Sequence, residues 1–390
     1  MSIKKIIRKV RESIIFSSPQ KANLVVFDRV SVSGLECVVK NFSYAILDTR
    51  NETFYFSFRL MVRALMNLKY LSTSFGHYNV KGIYLLSCLQ VMKPKVVLTF
   101  VDNSSHFHWL SRIFKTVDFY AVENGIRPLG CTGKVGVESI RTTEKISFTN
   151  YICYGNYEAE HFCAQGHEID CYYPFGPVPQ SYYKKNISPG IDKNIQYQVC
   201  KIAQGNWSVF EEYPDYPERF KKLIITLDNY MARYIQECGI SACLPLRYDK
   251  DDFMMNYYHK VYGDCITYVK FEQFISTYVA IEQSEVVVNS FSSVGPQALG
   301  WGKKVLFADF SGTPCHNFFA SSVTRFPEVE ELCVVTEDSY EAFAKKLSRL
   351  INMPYEEYFS IVKEAMSYYG DYDDEYPAYQ KTIDLIKLKL

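Results

Sequence analysis

Residues 284–307 combine two apolar runs with a polar turn that has the groups needed to hold a phosphate. The polar members are Ser290, Ser292, Ser293 and Gly295. Hydroxyl and backbone N–H groups that converge at a helix N-terminus bind phosphate oxygens. The alternative is a single serine that caps the next helix. The run predicts a phosphate contact, and therefore a nucleotide-activated substrate, without the GxxxxGK[ST] spacing of a P-loop.

Two carboxylates directly follow apolar runs in the first half of the chain. Asp102 ends the run at 95–101 and Glu123 ends the run at 118–122. One positioned carboxylate is enough to take the proton of an acceptor hydroxyl. For Asp102 the alternative is an N-cap of the helix that begins near Ser105. The polar neighbours expected on the same acceptor side are Asn103, His106 and Asn124.

Three further residues are expected to line the nucleotide. Gln204 and Gly205 follow a predicted strand at 198–203, and Arg247 follows one at 240–246. An arginine at a strand end can bind a phosphate or carboxylate with two N–H groups. Its alternative is an ion pair with a nearby aspartate at 249, 251 or 252. Asp228, in the middle of a predicted helix, is expected on that helix's surface.

No metal site is predicted. His106 and His108 are two positions apart on a predicted helix and do not share a face. None of the 12 cysteines forms a CxxC pair. Six of them lie within or beside apolar runs: Cys37, Cys88, Cys153, Cys200, Cys243 and Cys265. They are expected to be small buried side chains in a reducing compartment.

Apolar strands alternate with helical patterns over 24–173 and again over 198–335. This alternation predicts two doubly wound α/β domains, with ligands at the carboxyl ends of the parallel strands. Prolines interrupt the pattern between 174 and 194, so no element is expected there. The expected division is 1–180 as the first domain, 181–194 as a linker and 195–375 as the second domain. The last helix, 376–390, is expected to pack back on the first domain.

The 390 residues carry a formal net charge of +0, so the whole chain offers no electrostatic reason to bind nucleic acid. Apolar residues at helical spacing in 1–15 alternate with five basic residues. Such a helix lies on an anionic membrane surface or packs as an ordinary surface helix. No run approaches the roughly 18 apolar residues of a membrane span.

Several segments resemble bacterial surface-carbohydrate biosynthesis transferases. They are 94–103, 121–127, 154–156 and 174–176. Residues 285–307 are similar to the donor-side motif of GT-B glycosyltransferases. The resemblance covers about 79–311. It implies two Rossmann-like domains facing a central cleft, with the acceptor on the first domain and the nucleotide sugar on the second. It also implies no essential metal or other cofactor.

The resemblance further implies a cytoplasmic glycosyltransferase that builds a surface polysaccharide such as lipopolysaccharide, O-antigen or capsule. The donor would be a nucleotide sugar such as CMP-Kdo, whose carboxylate would pair with Arg247. The acceptor would be a glycan, or an oligosaccharide on a lipid carrier at the inner face of the cytoplasmic membrane. Gln297 stands where many GT-B enzymes have a glutamate that holds the ribose, which leaves the nucleotide open.

Three alternatives remain at this stage. They are a CDP-polyol phosphotransferase, a nucleotide-sugar epimerase on the same fold, and a non-catalytic GT-B scaffold that binds a glycan. The stereochemical outcome is also open, because retention by double displacement needs a second, nucleophilic carboxylate.

Overall fold

The computed structural model describes residues 14–50, 53–71, 79–125, 147–164, 166–203, 218–246, 252–272, 275–290, 292–310 and 325–390. Within them, two six-stranded parallel sheets are each covered by helices. Strands and helices are numbered along the chain. A separate pair of short parallel strands, β1 (Ile14–Ile15) and β4 (Phe54–Tyr55), lies outside both sheets.

The first sheet has the order β3–β2–β5–β6–β7–β8. The strands are β2 (Leu24–Phe27), β3 (Tyr44–Leu47), β5 (Val96–Thr99), β6 (Asp118–Val122), β7 (Ser147–Cys153) and β8 (Glu168–Pro174). Both β2 and β5 are apolar and buried along their whole length, as expected for central strands covered on both faces. The chain reverses direction across the sheet between β2 and β5, which makes the gap between them a topological switch point.

The second sheet has the order β11–β10–β9–β12–β13–β14. The strands are β9 (Tyr197–Lys201), β10 (Ala242–Pro245), β11 (Thr267–Val269), β12 (Ser284–Asn289), β13 (Lys304–Ala308) and β14 (Val334–Val335). Counted within this domain the order is 3-2-1-4-5-6, the arrangement of dinucleotide-binding Rossmann domains. Its switch point lies between β9 and β12.

Fifteen α-helices cover the sheets in the described part of the chain. In the first domain they are α1 (Val30–Gly34), α2 (Glu36–Val39), α3 (Phe58–Asn67), α4 (Asn79–Met92), α5 (Ser105–Ile113), α6 (Asn156–Ala164) and α7 (Val178–Asn186). The others are α8 (Glu218–Cys238), α9 (Asp252–Tyr262), α10 (Ile275–Glu282), α11 (Val294–Gly300), α12 (Pro327–Cys333), α13 (Tyr340–Asn352), α14 (Tyr355–Tyr369) and α15 (Ala378–Lys387). Serine side chains cap α3, α5 and α13 at their N-termini.

The expectation that prolines prevent any element between 174 and 194 is wrong. Helix α7 occupies Val178–Asn186, with Pro179 in its first turn, and a 3-10 turn follows at Ser188–Gly190. Proline is tolerated in the first turn because the N–H that it lacks has no partner inside the helix there. The connection between the two sheets is therefore largely helical.

The C-terminal helix α15 lies on the first domain. Ala378, Ile383 and Ile386 share an apolar cluster with Leu24 and Val26 of β2. The segment leading to α15 also touches the first domain, because the backbone N–H of Asp371 donates to the carbonyl of Tyr154 at 2.8 Å. The end of the chain therefore connects the two domains a second time.

Asp228 was expected on a helix surface, and this prediction is wrong. Its side chain is fully buried in the second domain and forms an ion pair with Lys201. Tyr257 and Tyr262 also donate hydrogen bonds to it, at 3.0 and 2.8 Å. A buried carboxylate needs such partners to offset the loss of water.

Residues 1–13, which carry most of the predicted basic helix, lie outside the described residues. Ile14, the last apolar position of that pattern, belongs to strand β1 and not to a helix. None of the helices in the described ranges has the length and apolar character needed to cross a bilayer.

Candidate functional site

Asp102 and Glu123 lie at the same edge of the first sheet. Strands β5 and β6 pair in parallel, so the residues after their carboxyl ends are neighbours. Both carboxylates are buried. Asp102 Oδ2 accepts a hydrogen bond from Tyr151 Oη at 3.0 Å, and its carbonyl accepts one from His108 Nε2 at 2.6 Å. The N-cap of α5 is Ser104, so Asp102 does not serve as that cap.

Glu123 is hydrogen-bonded to a second buried carboxyl group, that of Glu158 on α6. Glu123 Oε2 also accepts the backbone N–H of Tyr154 at 2.8 Å, and Glu158 Oε2 accepts that of Gly155 at 3.1 Å. Burial raises the pKa of Glu158 to about 8. Two adjacent buried carboxyl groups share a proton, because both cannot be ionised at low cost. At neutral pH the pair therefore holds at least one proton.

Sequence reasoning did not find Glu158. The residue lies within an ordinary helical pattern, 35 positions after Glu123. Only the packing of α6 against the end of β6 brings the two carboxyl groups together. The available signal was the turn at 154–156, which places an acidic side chain one helical turn beyond Gly155.

A second polar cluster follows β2 and β3. Asp28 is buried and adopts a left-handed backbone conformation with φ of 74°. Arg50 Nε donates to Asp28 Oδ2 at 3.0 Å, and Arg29 donates to both oxygens of Asp48 at 3.1 and 2.9 Å. A non-glycine residue in this conformation stores strain and is common at functional sites. The two buried aspartates fix two half-exposed guanidinium groups at the sheet edge where the acceptor side is expected.

The other acceptor-side residues are half-buried. They are Asn103, His106 and Asn124. Burial, with a smaller contribution from Lys81, lowers the pKa of His106 to about 4. Its imidazole is therefore neutral at physiological pH and can act as a hydrogen-bonding group without charge.

On the second domain, Ser290 follows β12 beside the switch point. Its Oγ is buried and has no hydrogen-bond partner among the described residues. Asn289 Nδ2 holds the turn by donating to the carbonyls of Ser290 and Ser292 at 3.2 and 3.1 Å. Buried hydroxyl groups are normally paired. An unpaired one at a strand end is a place where a ligand oxygen would bind.

The other residues of the turn have separate local roles. Ser292 Oγ accepts the backbone N–H of Val294 at 3.4 Å, whereas Ser293 makes no side-chain cap of α11. A Cβ at Gly295 would lie 2.3 Å from Asn289 Nδ2 and 2.8 Å from the Phe307 ring. Gly295 is thus needed for close packing under the turn.

Gln297 joins the two domains. Its Nε2 donates to Tyr154 Oη of the first domain at 2.8 Å, and its Oε1 accepts from Tyr278 Oη at 3.3 Å. The side chain is buried, and Tyr372 Oη donates to the Gln297 carbonyl at 2.9 Å. A glutamate at this position would have no N–H group to donate to Tyr154 Oη. Gln297 was expected to hold the ribose, and both ends of its amide are instead hydrogen-bonded within the protein.

Two cavities lie where the domains meet. One, of about 440 Å³, is lined by Gly155 and Asn156 of the first domain and by Arg325 and Tyr368 of the second. The other, of about 220 Å³, lies beside Tyr278 and is also lined by Lys40, Tyr182 and Tyr183. A ligand in either cavity would touch both domains.

Three residues predicted for the nucleotide side lie outside the described residues. They are Gln204, Gly205 and Arg247. Their assignment stays a prediction.

Comparison with known proteins gives a fold relationship. No protein-family model and no curated protein sequence matches this chain. A structure of S. aureus MnaA with UDP has a TM-score of 0.56 at 13% identity, covering 94% of this chain and 96% of that one. A putative UDP-N-acetylglucosamine 2-epimerase from Listeria monocytogenes has a TM-score of 0.54 at 12% identity, covering 94% and 96%. The Methanocaldococcus jannaschii UDP-GlcNAc 2-epimerase, in complex with UDP-GlcNAc and UDP, has a TM-score of 0.53 at 12% identity, covering 94% and 99%.

Identities this low establish the fold and leave the reaction to be argued from the site. The predicted fold class is confirmed by the strand orders of both sheets and by these similarities over nearly the whole chain. The chain has the GT-B fold, in which two Rossmann-like, doubly wound domains face a central cleft.

Proposed function

We propose that this chain is an enzyme that transfers a sugar from a nucleotide donor to a hydroxyl group of an acceptor. The observation that carries this proposal is the carboxyl pair of Glu123 and Glu158 at the carboxyl edge of the first sheet. Glu123 binds the backbone of Tyr154, whose side chain binds Gln297 on the helix that follows the Ser290 turn. A proton-exchanging pair is thereby tied to the expected donor turn of the other domain.

The donor side is supported by Ser290. A phosphate oxygen of the nucleotide would satisfy its buried hydroxyl, which lacks a partner within the described part of the chain. The position, next to the switch point of a Rossmann-like sheet, is where such domains bind nucleotides. The similar structures bear names that include UDP or a UDP sugar, which favours a nucleotide-sugar donor. CMP-Kdo remains an option that depends on Arg247.

The acceptor side provides the base. In the proposed step, ionised Glu123 or Asp102 removes the proton of the acceptor hydroxyl as its oxygen bonds to the anomeric carbon. The bond from that carbon to the phosphate oxygen breaks, and the nucleotide leaves with the electron pair. Within the carboxyl pair, the protonated member stabilises the ionised one through their shared hydrogen bond. The acceptor would be a glycan or a lipid-linked oligosaccharide in the synthesis of a surface polysaccharide, made in the cytoplasm.

A nucleotide-sugar epimerase is the second candidate. Its support is that the similar structures include proteins named as UDP-GlcNAc 2-epimerases. A carboxyl pair that shares one proton is also suited to removing a proton from a sugar and returning one.

Two measurements separate these candidates. Thermal shift against UDP, CMP, GDP and CDP identifies the nucleotide, because a ligand that binds only the folded state raises its stability. The preferred nucleotide sugar is then incubated with and without a glycan acceptor. A transferase releases nucleotide only with acceptor, whereas an epimerase converts the sugar without it. Retention of phosphate in the product would instead indicate a phosphotransferase.

The variant for the base is Glu123→Gln, with Glu357→Gln on the exposed face of α14 as its control. We expect loss of turnover by about a hundredfold or more with retained nucleotide binding. Wild-type turnover in Glu123→Gln would remove this residue from the chemistry. Nucleotide binding without turnover in the wild type would favour a non-catalytic scaffold.

A further inference from the structure

Helix α3 buries Leu60 and Asn67 against the protein, whereas its other large apolar side chains face solvent. Asn67 is 3% exposed, and its Nδ2 donates to Ser87 Oγ at 2.9 Å and to Gln90 Oε1 at 3.1 Å, both on α4. Gln90 Nε2 returns a hydrogen bond to Asn67 Oδ1 at 3.2 Å. These bonds fix the rotation of α3 about its axis. The exposure of its apolar side is therefore built into the packing.

The exposed side forms a continuous apolar patch, here named the α3 face. It consists of Phe16, Phe56, Phe58, Met61, Val62, Leu65, Met66, Leu68 and Leu71. Phe58, Leu65 and Met66 are 79%, 66% and 60% exposed. The members on α3 follow the spacing of one helical face. Exposed apolar patches of this extent mark contact with a protein or a membrane.

The charged residues within the segment that carries most of this patch are of one sign. Residues 53–71 contain Arg59, Arg63 and Lys69 and no acidic residue. The arginines lie on the flank of the apolar face, so both face and flank can contact the same surface. Basic residues beside an apolar helical face are the composition of helices that lie in the headgroup region of a bilayer.

Strand β1, where the described residues begin, lies beside the segment that leads into α3. Strand β1 pairs with β4 just before α3, and the rings of Phe16 and Phe56 are 6.0 Å apart. Residues 1–13 contain five basic residues and one acidic residue. Together with 53–71 they carry +7, so the other residues carry −7 in a chain whose net charge is +0. The positive charge of the chain is thus concentrated in these two stretches of its sequence.

The patch begins near the candidate site. Burial raises the pKa of Tyr55 in β4, and the charges of Asp48 and Arg29 also act on it. Phe56 and Phe58 therefore follow closely on the cluster at the carboxyl ends of β2 and β3. A surface bound by the α3 face would lie alongside the acceptor edge of the first domain.

We propose that the α3 face binds the surface of an anionic lipid bilayer, with the apolar side chains among the acyl chains and the basic residues at the headgroups. Apolar burial and attraction to acidic lipids both favour this state. A second copy of the chain is a less suitable occupant. A twofold contact would bring the same patch against itself, with Arg59 and Arg63 near their own copies and no acidic partner in the segment.

The test is co-sedimentation of the full chain with vesicles, which needs no turnover. One vesicle set is phosphatidylcholine alone and the other is phosphatidylcholine with phosphatidylglycerol. We expect binding to the second set that weakens with salt. Leu65→Gln with Met66→Gln keeps helix propensity and should weaken binding by about tenfold or more. Arg59→Glu with Arg63→Glu should weaken it by about fivefold or more for each charge, on the acidic vesicles only.

The matched control is Phe253→Gln, which removes a comparably exposed apolar side chain, 57% exposed, from α9 of the second domain. Unchanged binding of this variant supports the assignment to the α3 face. Wild-type binding by the Leu65 and Met66 double variant would overturn it, since basic residues elsewhere would then be sufficient. A solution dimer that this variant dissociates, in a protein that ignores vesicles, would assign the face to a second copy instead.

Discussion

Gln297 Nε2 donates a hydrogen bond to Tyr154 Oη at 2.8 Å, and this contact links the helix after the Ser290 turn to the strand end beside Glu123. Both side chains are buried. The bond therefore sets the spacing of two site elements that come from different domains. Four predictions follow from this geometry and from the other buried polar groups.

Removing the Tyr154 hydroxyl should destabilise the protein. In Tyr154→Phe, Gln297 Nε2 loses its acceptor in a buried setting, which costs about 1–3 kcal/mol. Denaturant unfolding measures the change. Tyr376→Phe is the control, because its hydroxyl bonds Asp384 at 3.0 Å on an exposed surface. Equal effects of the two variants would contradict a role for Gln297 in joining the domains.

Stability should fall with rising pH because of Glu158. Its ordinary pKa of 4.5 is raised to about 8 in the folded state, so the folded protein holds this proton more tightly than the unfolded chain. The stabilising contribution is complete below about pH 4.5 and is lost as pH rises through about 8. Glu158→Gln mimics the neutral acid and should remove this dependence. Melting temperatures from about pH 5 to about pH 9 test it.

The comparison for that series is Glu357→Gln, which alters an exposed carboxylate. It should follow the wild type at every pH. If Glu158→Gln also follows the wild type, the carboxyl pair does not hold a proton at neutral pH. Because Glu123 and Glu158 are hydrogen-bonded, the observed midpoint belongs to the pair.

Ser290→Ala should weaken nucleotide binding without lowering the stability of the fold. Its hydroxyl has no partner among the described residues, so its loss should leave the free energy of unfolding unchanged or slightly raised. A lost bond to a charged phosphate should weaken nucleotide affinity by about tenfold or more. Calorimetric titration with the nucleotide found by thermal shift measures this. Ser292→Ala, which loses only a weak contact to Val294, is the companion variant. Unchanged affinity in Ser290→Ala would exclude a phosphate contact.

Lys201→Met should be strongly destabilising. It leaves Asp228 buried without its cation, which costs about 3–5 kcal/mol. Lys222→Met breaks an exposed pair with Asp338 at 3.3 Å and should cost about 1 kcal/mol or less. Adding Asp228→Leu to Lys201→Met should recover part of the loss, since no charge then remains unpaired. A small effect of Lys201→Met would mean that water reaches this pair.

Most of the fold could be predicted from the chain because its signals are local. Strand β2 is an unbroken apolar run, β5 and β12 have apolar cores, and the polar ends of such strands are visible in the sequence. Helix α7 could not be predicted, since its first-turn proline looks like a breaker when the neighbouring helices are unknown. Asp228 was misplaced for a similar reason, because the cation that permits its burial is on β9.

In the candidate site, too, some features could be predicted from the sequence and others could not. Asp102, Glu123 and Ser290 follow apolar runs, so their place at the strand ends could be predicted. Glu158 and the role of Gln297 could not, since each depends on a partner far along the chain. The two parallel sheets and the polar groups at their carboxyl edges could be predicted from the chain alone, because apolar runs and their period define strands and their ends. Which of those groups lie side by side, join the domains or have no partner among the described residues became known only from the folded structure. Those properties depend on distances and burial that packing creates.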